Sequence, residues 1–297
     1  MKRWITGALA LLGCAAISAA PELETLCDSA GKPVRYAGRV APGEVKIPQS
    51  YQSRAREMRG VWVATVENID FPAHTDATTF RSDFAALAST LAKRRFNAVF
   101  VQVRPNNDAF YPSAINPWSR WLAGTEGRGI SGFDPLAYML SEAKRNKLEF
   151  HAWLNPYRVI GKTKLSKADY LATLDPKNFA RRNPALVLEA PLGKGERLLF
   201  LDPGNPAVVR HVLDTVREIV VKYDIDAIHF DDYFYPYSQF GDIDSGSFAR
   251  FNPGNLSRPD WRRRNVDTLV GEVSRLLKNH EQKTGRKVKF GISPFGI

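Results

Sequence analysis

Cysteine is nearly absent: the 297-residue chain has only Cys14 and Cys27. That excludes a disulfide framework and a four-cysteine zinc site. Histidine is scarce as well, with 5 residues. None of them falls in a His-Glu-x-x-His pattern or a His-x-His pair after the first strand-like segment, so no metal is expected. No Gly-rich phosphate turn follows that segment, which argues against a nucleotide-binding doubly wound sheet. No Gly-x-Ser-x-Gly elbow supports a serine nucleophile. No cofactor is expected. Low-complexity tracts and short-period repeats are missing too, so the composition is that of an ordinary globular chain.

The longest apolar run, Trp4 to Ala16, follows Lys2 and Arg3 and is shorter than the roughly 20 residues that span a bilayer. It reads as an export signal over residues 1–20. Within it "LLGC" resembles a lipobox, which makes Cys14 the expected lipidation site; cleavage nearer "ISAA" is the alternative. With Cys14 lipidated or removed, Cys27 has no intrachain partner. The protein is therefore expected in the cell envelope, exported and lipid-anchored through Cys14 on the periplasmic side, at the outer membrane. A net charge of +11 favours anionic partners. For an exported chain these are envelope polymers and membrane faces rather than nucleic acid.

Residues 21–55 read as a tether and lead-in. From residue 56 to 297 strand-like and helix-like segments alternate. Strands are expected at 59–65, 97–105, 149–156, 226–233 and 288–296. Helices are expected at 78–96, 134–147, 205–224 and 260–284, two of them opening with a capping Asp or Asn followed by proline. This alternation predicts a parallel sheet with helical crossovers. Long polar and aromatic loops after the strands, with short returns, favour a (β/α)₈ TIM-type barrel whose site lies at the strands' C-terminal ends. Only five strands are found, so the barrel is expected to be truncated after the fifth.

Alternation within the strands sorts the side chains. Val99, Val101 and Val103 oppose Gln102 and Arg104. Phe150, Ala152 and Leu154 oppose His151, Trp153 and Asn155. Ile228 and Phe230 oppose His229 and Asp231, and Phe290 and Ile292 oppose Gly291 and Ser293. A polar set on one face, where a barrel interior carries branched aliphatics, points to a site. Asp231 and Asp232, in "DAIHFDDYFYPY", are the candidate catalytic carboxylates, since an oxocarbenium-like transition state at a sugar calls for carboxylates. Asp231, the leading candidate, is expected inward and Asp232 outward, with Asp232, His229 and Arg104 supporting or positioning it; the competing reading makes the pair a strand-end turn cap. Expected substrate-binding residues are Arg104, Asn106, His151, Trp153, Asn155, Tyr157, Arg158, His229, Tyr233 and Tyr235, as hydroxyl or carboxylate binders and stacking faces. Trp62, Phe234 and Tyr237 belong to the same aromatic group, part of it core. Asn107 reads as a turn residue. His74, His211 and His280 read as loop or helix-surface residues.

The stretches "REMRGVWVATV" (56–66), "FNAVFVQVRP" (96–105), "FHAWLNPYR" (150–158), "LDPGNPAVVRHV" (201–212) and "IDAIHFDDYFYPY" (225–237) resemble the bacterial glycosyl hydrolase-like family 10. The resemblance implies a (β/α)₈ glycosidase-type domain, similar to envelope lipoproteins that cut peptide-stripped peptidoglycan strands during cell division. It thus implies a polysaccharide substrate and partners in division or the envelope. The spacing of His229 and Asp231 also looks like the fourth-strand Arg-x-Asp of the α-amylase group, in which the Asp is the nucleophile. The expected function is an exported glycoside hydrolase of envelope glycan, with a non-catalytic glycan-binding lipoprotein as the alternative.

Overall fold

Alternating apolar residues and well-formed caps decide the main body of the chain. The computed structural model describes residues 22–35, 43–50, 57–237 and 241–294. Cys14 and the rest of residues 1–20 lie outside the described residues, so the expectations about an export signal and an anchor concern a part not described.

The chain divides into two units, the second running from Met58 to Gly296. Within the first, Leu23–Thr25 pairs antiparallel with Lys46–Pro48, so the expected tether carries a small strand pair.

The second unit is built on five parallel strands: β1 (Gly60–Val63), β2 (Ala98–Arg104), β3 (Glu149–Leu154), β7 (Ala227–Phe230) and β8 (Lys289–Ile292). Their order is β8-β7-β3-β2-β1. Four helices connect them or follow them: α1 (Ala77–Lys93), α2 (Pro135–Arg145), α3 (Pro206–Lys222) and α4 (Arg258–Thr284). The caps anticipated in the sequence form. Asp134 accepts from the Ala137 N–H before Pro135, and Asn205 accepts from the Ala207 N–H before Pro206, each satisfying an N–H that has no partner inside its helix.

The five strands form an open sheet, and no closed barrel exists among the described residues. Of the expected barrel truncated after its fifth strand, the α/β alternation and the five-stranded parallel sheet are present. One face is covered by helix side chains. Val99, Val101, Val103, Phe150, Ala152, Leu154, Ile228 and Phe230 share a single core with Phe84 of α1, Leu136 of α2, Val212 of α3 and Leu269 of α4. Each fully buried branched or aromatic side chain there contributes roughly 1.5–3 kcal/mol.

The segment between β3 and α3 holds a feature that the sequence reading omitted. Strands β4 (Arg158–Thr163), β5 (Val187–Gly193) and β6 (Glu196–Leu201) form an antiparallel sheet in the order β4-β6-β5. The β5–β6 hairpin turns at Gly193, Lys194 and Gly195, all with positive φ (85°, 52° and 73°); two glycines absorb that turn at little steric cost. Two histidines expected on the surface are buried. His74 packs against Phe71 and Phe80 with Nε2 2.9 Å from Asp83 Oδ2. His211 stacks on Phe179 at 4.1 Å, and burial lowers its pKa to about 3. The Phe179 ring against His211 comes from another segment, which no local pattern reveals.

Candidate active site

The sheet face opposite the helices carries the polar and aromatic residues, arranged in rows by strand register. Trp62, Phe100 and His151 form one row, since Trp62 pairs with Phe100 and Phe100 with His151. Gln102, Trp153, His229 and Gly291 form the next. The rings pack edge to face: Trp62 lies 4.7 Å from Trp153 and 4.8 Å from His229, and stacks on Phe100 at 4.9 Å. Trp62 keeps 39% of its surface exposed, so this aromatic floor is open to solvent at one point.

Two glycines make the packing possible. A Cβ on Gly60 would lie 2.4 Å from Phe100 Cε2, and one on Gly291 would lie 2.5 Å from His229 Nδ1. Neighbouring rings press on the bare backbone at both positions. His229 Nε2 sits 2.9 Å from Ser293 Oγ. Burial lowers the His229 pKa to about 4, so the ring is neutral at pH 7. At the N-terminal end of the face, Lys289 donates to both Glu149 oxygens at 2.7 Å, and His151 Nε2 lies 3.2 Å from Glu149 Oε2. Burial lowers the His151 pKa as well. Glu149 and Lys289 were not singled out in the sequence, although both share the strand parity of the polar face.

At the C-terminal end the face closes on Asp231. Trp153 Nε1 donates to Oδ2 at 3.0 Å, and Asn155 Nδ2 donates to Oδ1 and Oδ2 at 3.0 and 3.1 Å. The Tyr233 N–H adds a bond at 3.3 Å. Burial raises the carboxyl's pKa; the Arg158 charge and these donors oppose it. Such a set holds the carboxylate in one orientation. The Arg158 guanidinium lies over the Tyr233 ring at 4.9 Å. Asp232 is half-buried and accepts a hydrogen bond from the Tyr237 hydroxyl. The two adjacent carboxylates therefore have different surroundings, as expected of alternating positions at a strand end.

The remaining candidates divide. Trp153, Arg158, Tyr233 and Asp231 are together, with His229 and His151 beneath them. Asn155 is fully buried and spends its amide on Asp231, which makes it a support rather than a sugar contact. Three expected binders are buried. Arg104 is 0% exposed and bonds the Asn155 and Pro156 carbonyls and Asn107 Oδ1. Its side chain runs beneath the following turn instead of reaching the surface. Tyr157 is 0% exposed in the main core because β4 begins immediately after it. Asn106 is buried, its N–H bonded to Asp108 Oδ1 at 3.0 Å. Tyr235 is partly withdrawn: its hydroxyl accepts from Asn265 Nδ2 at 3.1 Å, and its ring packs against Ala190, Leu198 and Phe200.

A second group of carboxylates lies in the loops beyond β2, with no local motif to mark it. Glu126 accepts from the Asp175 N–H at 3.2 Å, Asn178 Nδ2 at 2.7 Å and Arg120 Nη2 at 3.4 Å. Its side chain is 6% exposed. Burial, reinforced by the Asp108 charge, raises its pKa to about 7. Among the described residues, no group of three or more His, Cys, Asp or Glu side chains could hold a metal ion.

With this geometry established, the family follows. The profile described as Glycosyl hydrolase-like 10 matches residues 57–297. The chain belongs to this family. It is 40% identical over 273 residues to "Glycosyl hydrolase YngK" of Bacillus subtilis strain 168, covering 89% of this chain and 50% of that one. It is 33% identical over 303 aligned positions to "Glycosyl hydrolase DigH" of Escherichia coli K12, covering 98% of this chain and 64% of that one. The chain thus spans between half and two thirds of these relatives. Among solved structures, an α-galactosidase from Thermus thermophilus aligns with a TM-score of 0.42 and 13% identity, covering 81% of this chain and 39% of its own. Family membership and these relatives support a glycoside hydrolase-like role.

Proposed function

We propose that the protein is an exported glycosidase acting on cell-envelope glycan, with Asp231 as the carboxylate that meets the developing positive charge at the sugar. The observation that carries this reading is the seating of Asp231. One carboxylate is aimed to the site side of the sheet and held by an indole, an amide and a backbone N–H, next to an open aromatic floor. A sugar ring stacks on such rings through its C–H face, and the fixed carboxylate sits where an oxocarbenium-like transition state needs negative charge. The Arg158 guanidinium makes no hydrogen bond or ion pair with any described residue, so its donors are available to an anionic substituent of the sugar. Together with the net charge of +11, this favours peptidoglycan strands carrying free carboxylates, and it fits lipid anchoring at Cys14 near that polymer.

One observation supports the second reading, a glycan-binding envelope protein without turnover. Two-carboxylate hydrolysis needs a second acid, and among the described residues Asp232 lies outside the Asp231 hydrogen-bond set. Incubating the protein with intact and peptide-stripped glycan strands and identifying the products separates the two. New reducing ends from the stripped strands support hydrolysis, whereas retention of the strands without cleavage supports binding alone.

A further inference from the structure

We infer that Arg104 is a positioning residue that holds the Asp231 carboxylate through the turn at residues 155–158; the inference rests on Asp231 being the reacting group. Arg104 makes no hydrogen bond to Asp231. Its guanidinium instead holds the turn at both ends. Nη1 donates to the Asn155 carbonyl at 2.5 Å and the Pro156 carbonyl at 3.3 Å. Nη2 donates to Asn107 Oδ1 at 2.5 Å, and Asn107 Nδ2 donates to the Arg158 carbonyl at 3.4 Å. The backbone of Arg104 takes part too, its carbonyl accepting from the Asn155 N–H at 3.0 Å.

The turn converts this grip into an orientation. Asn155 Oδ1 accepts from the Tyr157 and Arg158 N–H groups at 3.2 and 2.7 Å. With its oxygen fixed there, the amide nitrogen has one direction left, toward both oxygens of Asp231. The same turn begins the strand that carries Arg158, the cation that most opposes the upward pKa shift of Asp231. Arg104 bonds the turn and not Asp231, so the contact route between them runs through the turn. A planar fork with donors at fixed angles can bridge three acceptors at once; a lysine ammonium on a flexible stem cannot hold that arrangement.

The test is a cycle of Arg104→Lys and Asn155→Ala, read by turnover of peptide-stripped glycan strands and by the Asp231 titration in ¹³C-carboxyl NMR. Arg104→Lys is expected to lower kcat by about 10–100-fold, the usual range for a group that orients a catalytic ligand, with KM within about twofold. It should also raise the Asp231 pKa. In the Asn155→Ala background it should cost less than about twofold more, because the link is already cut. Asn107→Ser, which removes only one acceptor, is the milder variant and should show a smaller change of the same sign. Multiplicative losses in the double variant, or a rise in KM at unchanged kcat, would overturn the inference. So would an Asp231 titration that neither Arg104→Lys nor Asn107→Ser moves. Absence of turnover in the unmodified protein would count against the hydrolase proposal, while the titration would still judge Arg104.

Discussion

Replacing Glu126 with glutamine should make the protein more resistant to alkaline conditions. The Glu126 side chain is 6% exposed, and burial with the neighbouring Asp108 charge raises its pKa from 4.5 to about 7. For an acid whose folded-state value is raised, the neutral form is favoured in the native protein. Its contribution to stability is complete below the unfolded value, near 4.5, and is lost as pH rises through about 7. The difference corresponds to a loss of roughly 3 kcal/mol by pH 8. Glutamine keeps an oxygen for the Asp175 N–H and Asn178 Nδ2 and has no charge to lose. Denaturant melts of both proteins at pH 4.5 and pH 8 read the effect. The stability of Glu126→Gln relative to the unmodified protein should rise by roughly 3 kcal/mol between the two pH values. In a domain of this size that corresponds to about 6–12 °C in melting temperature. Parallel pH dependences would show that Glu126 ionises at its ordinary value and that the burial argument fails.

Gly291→Ala should drive the His229 ring away from Ser293 and cost about 1–3 kcal/mol in thermal melts, as overpacking does; an unchanged melt would mean the strand yields at no cost. Arg158→Met should weaken binding of carboxylate-bearing glycan strands by about tenfold or more while leaving a neutral oligosaccharide within about twofold, measured by calorimetry. Equal losses for both ligands would remove the assignment of Arg158 to an anionic substituent. Cys14→Ser should abolish lipid labelling of the exported protein, and labelling that persists would disprove the proposed anchor.

The sequence made the parallel strands legible because their apolar faces are long and alternating, as in Val99, Val101 and Val103, and because Asp134-Pro135 and Asn205-Pro206 mark helix starts locally. Asp231 was legible for the same reason: parity set it on the face of His229, and the bonds from Trp153 and Asn155 come from that face. Parity does not reveal how far a long side chain reaches. Arg104 shares that face, yet its four-bond stem carries the guanidinium under the next turn to carbonyl groups that the sequence cannot count. Tyr157 looked like a strand-end stacking ring because β4, which buries it, follows without a spacer. The β5–β6 hairpin had a readable sign, the Gly193-Lys194-Gly195 turn between apolar stretches. The Glu126 cluster had none, since Asp108, Glu126, Asp175 and Asn178 meet only through tertiary folding.

The central claim is that Asp231 supplies the negative charge used at the sugar. Asp231→Asn keeps the shape of the side chain and removes that charge, so turnover of peptide-stripped glycan strands is the direct measurement, taken beside a thermal melt and a strand-binding isotherm. The account predicts a fall in turnover of several orders of magnitude, with affinity and melting temperature little changed. Near-normal turnover in Asp231→Asn, or a loss matched by a comparable loss of binding or folding, would contradict it.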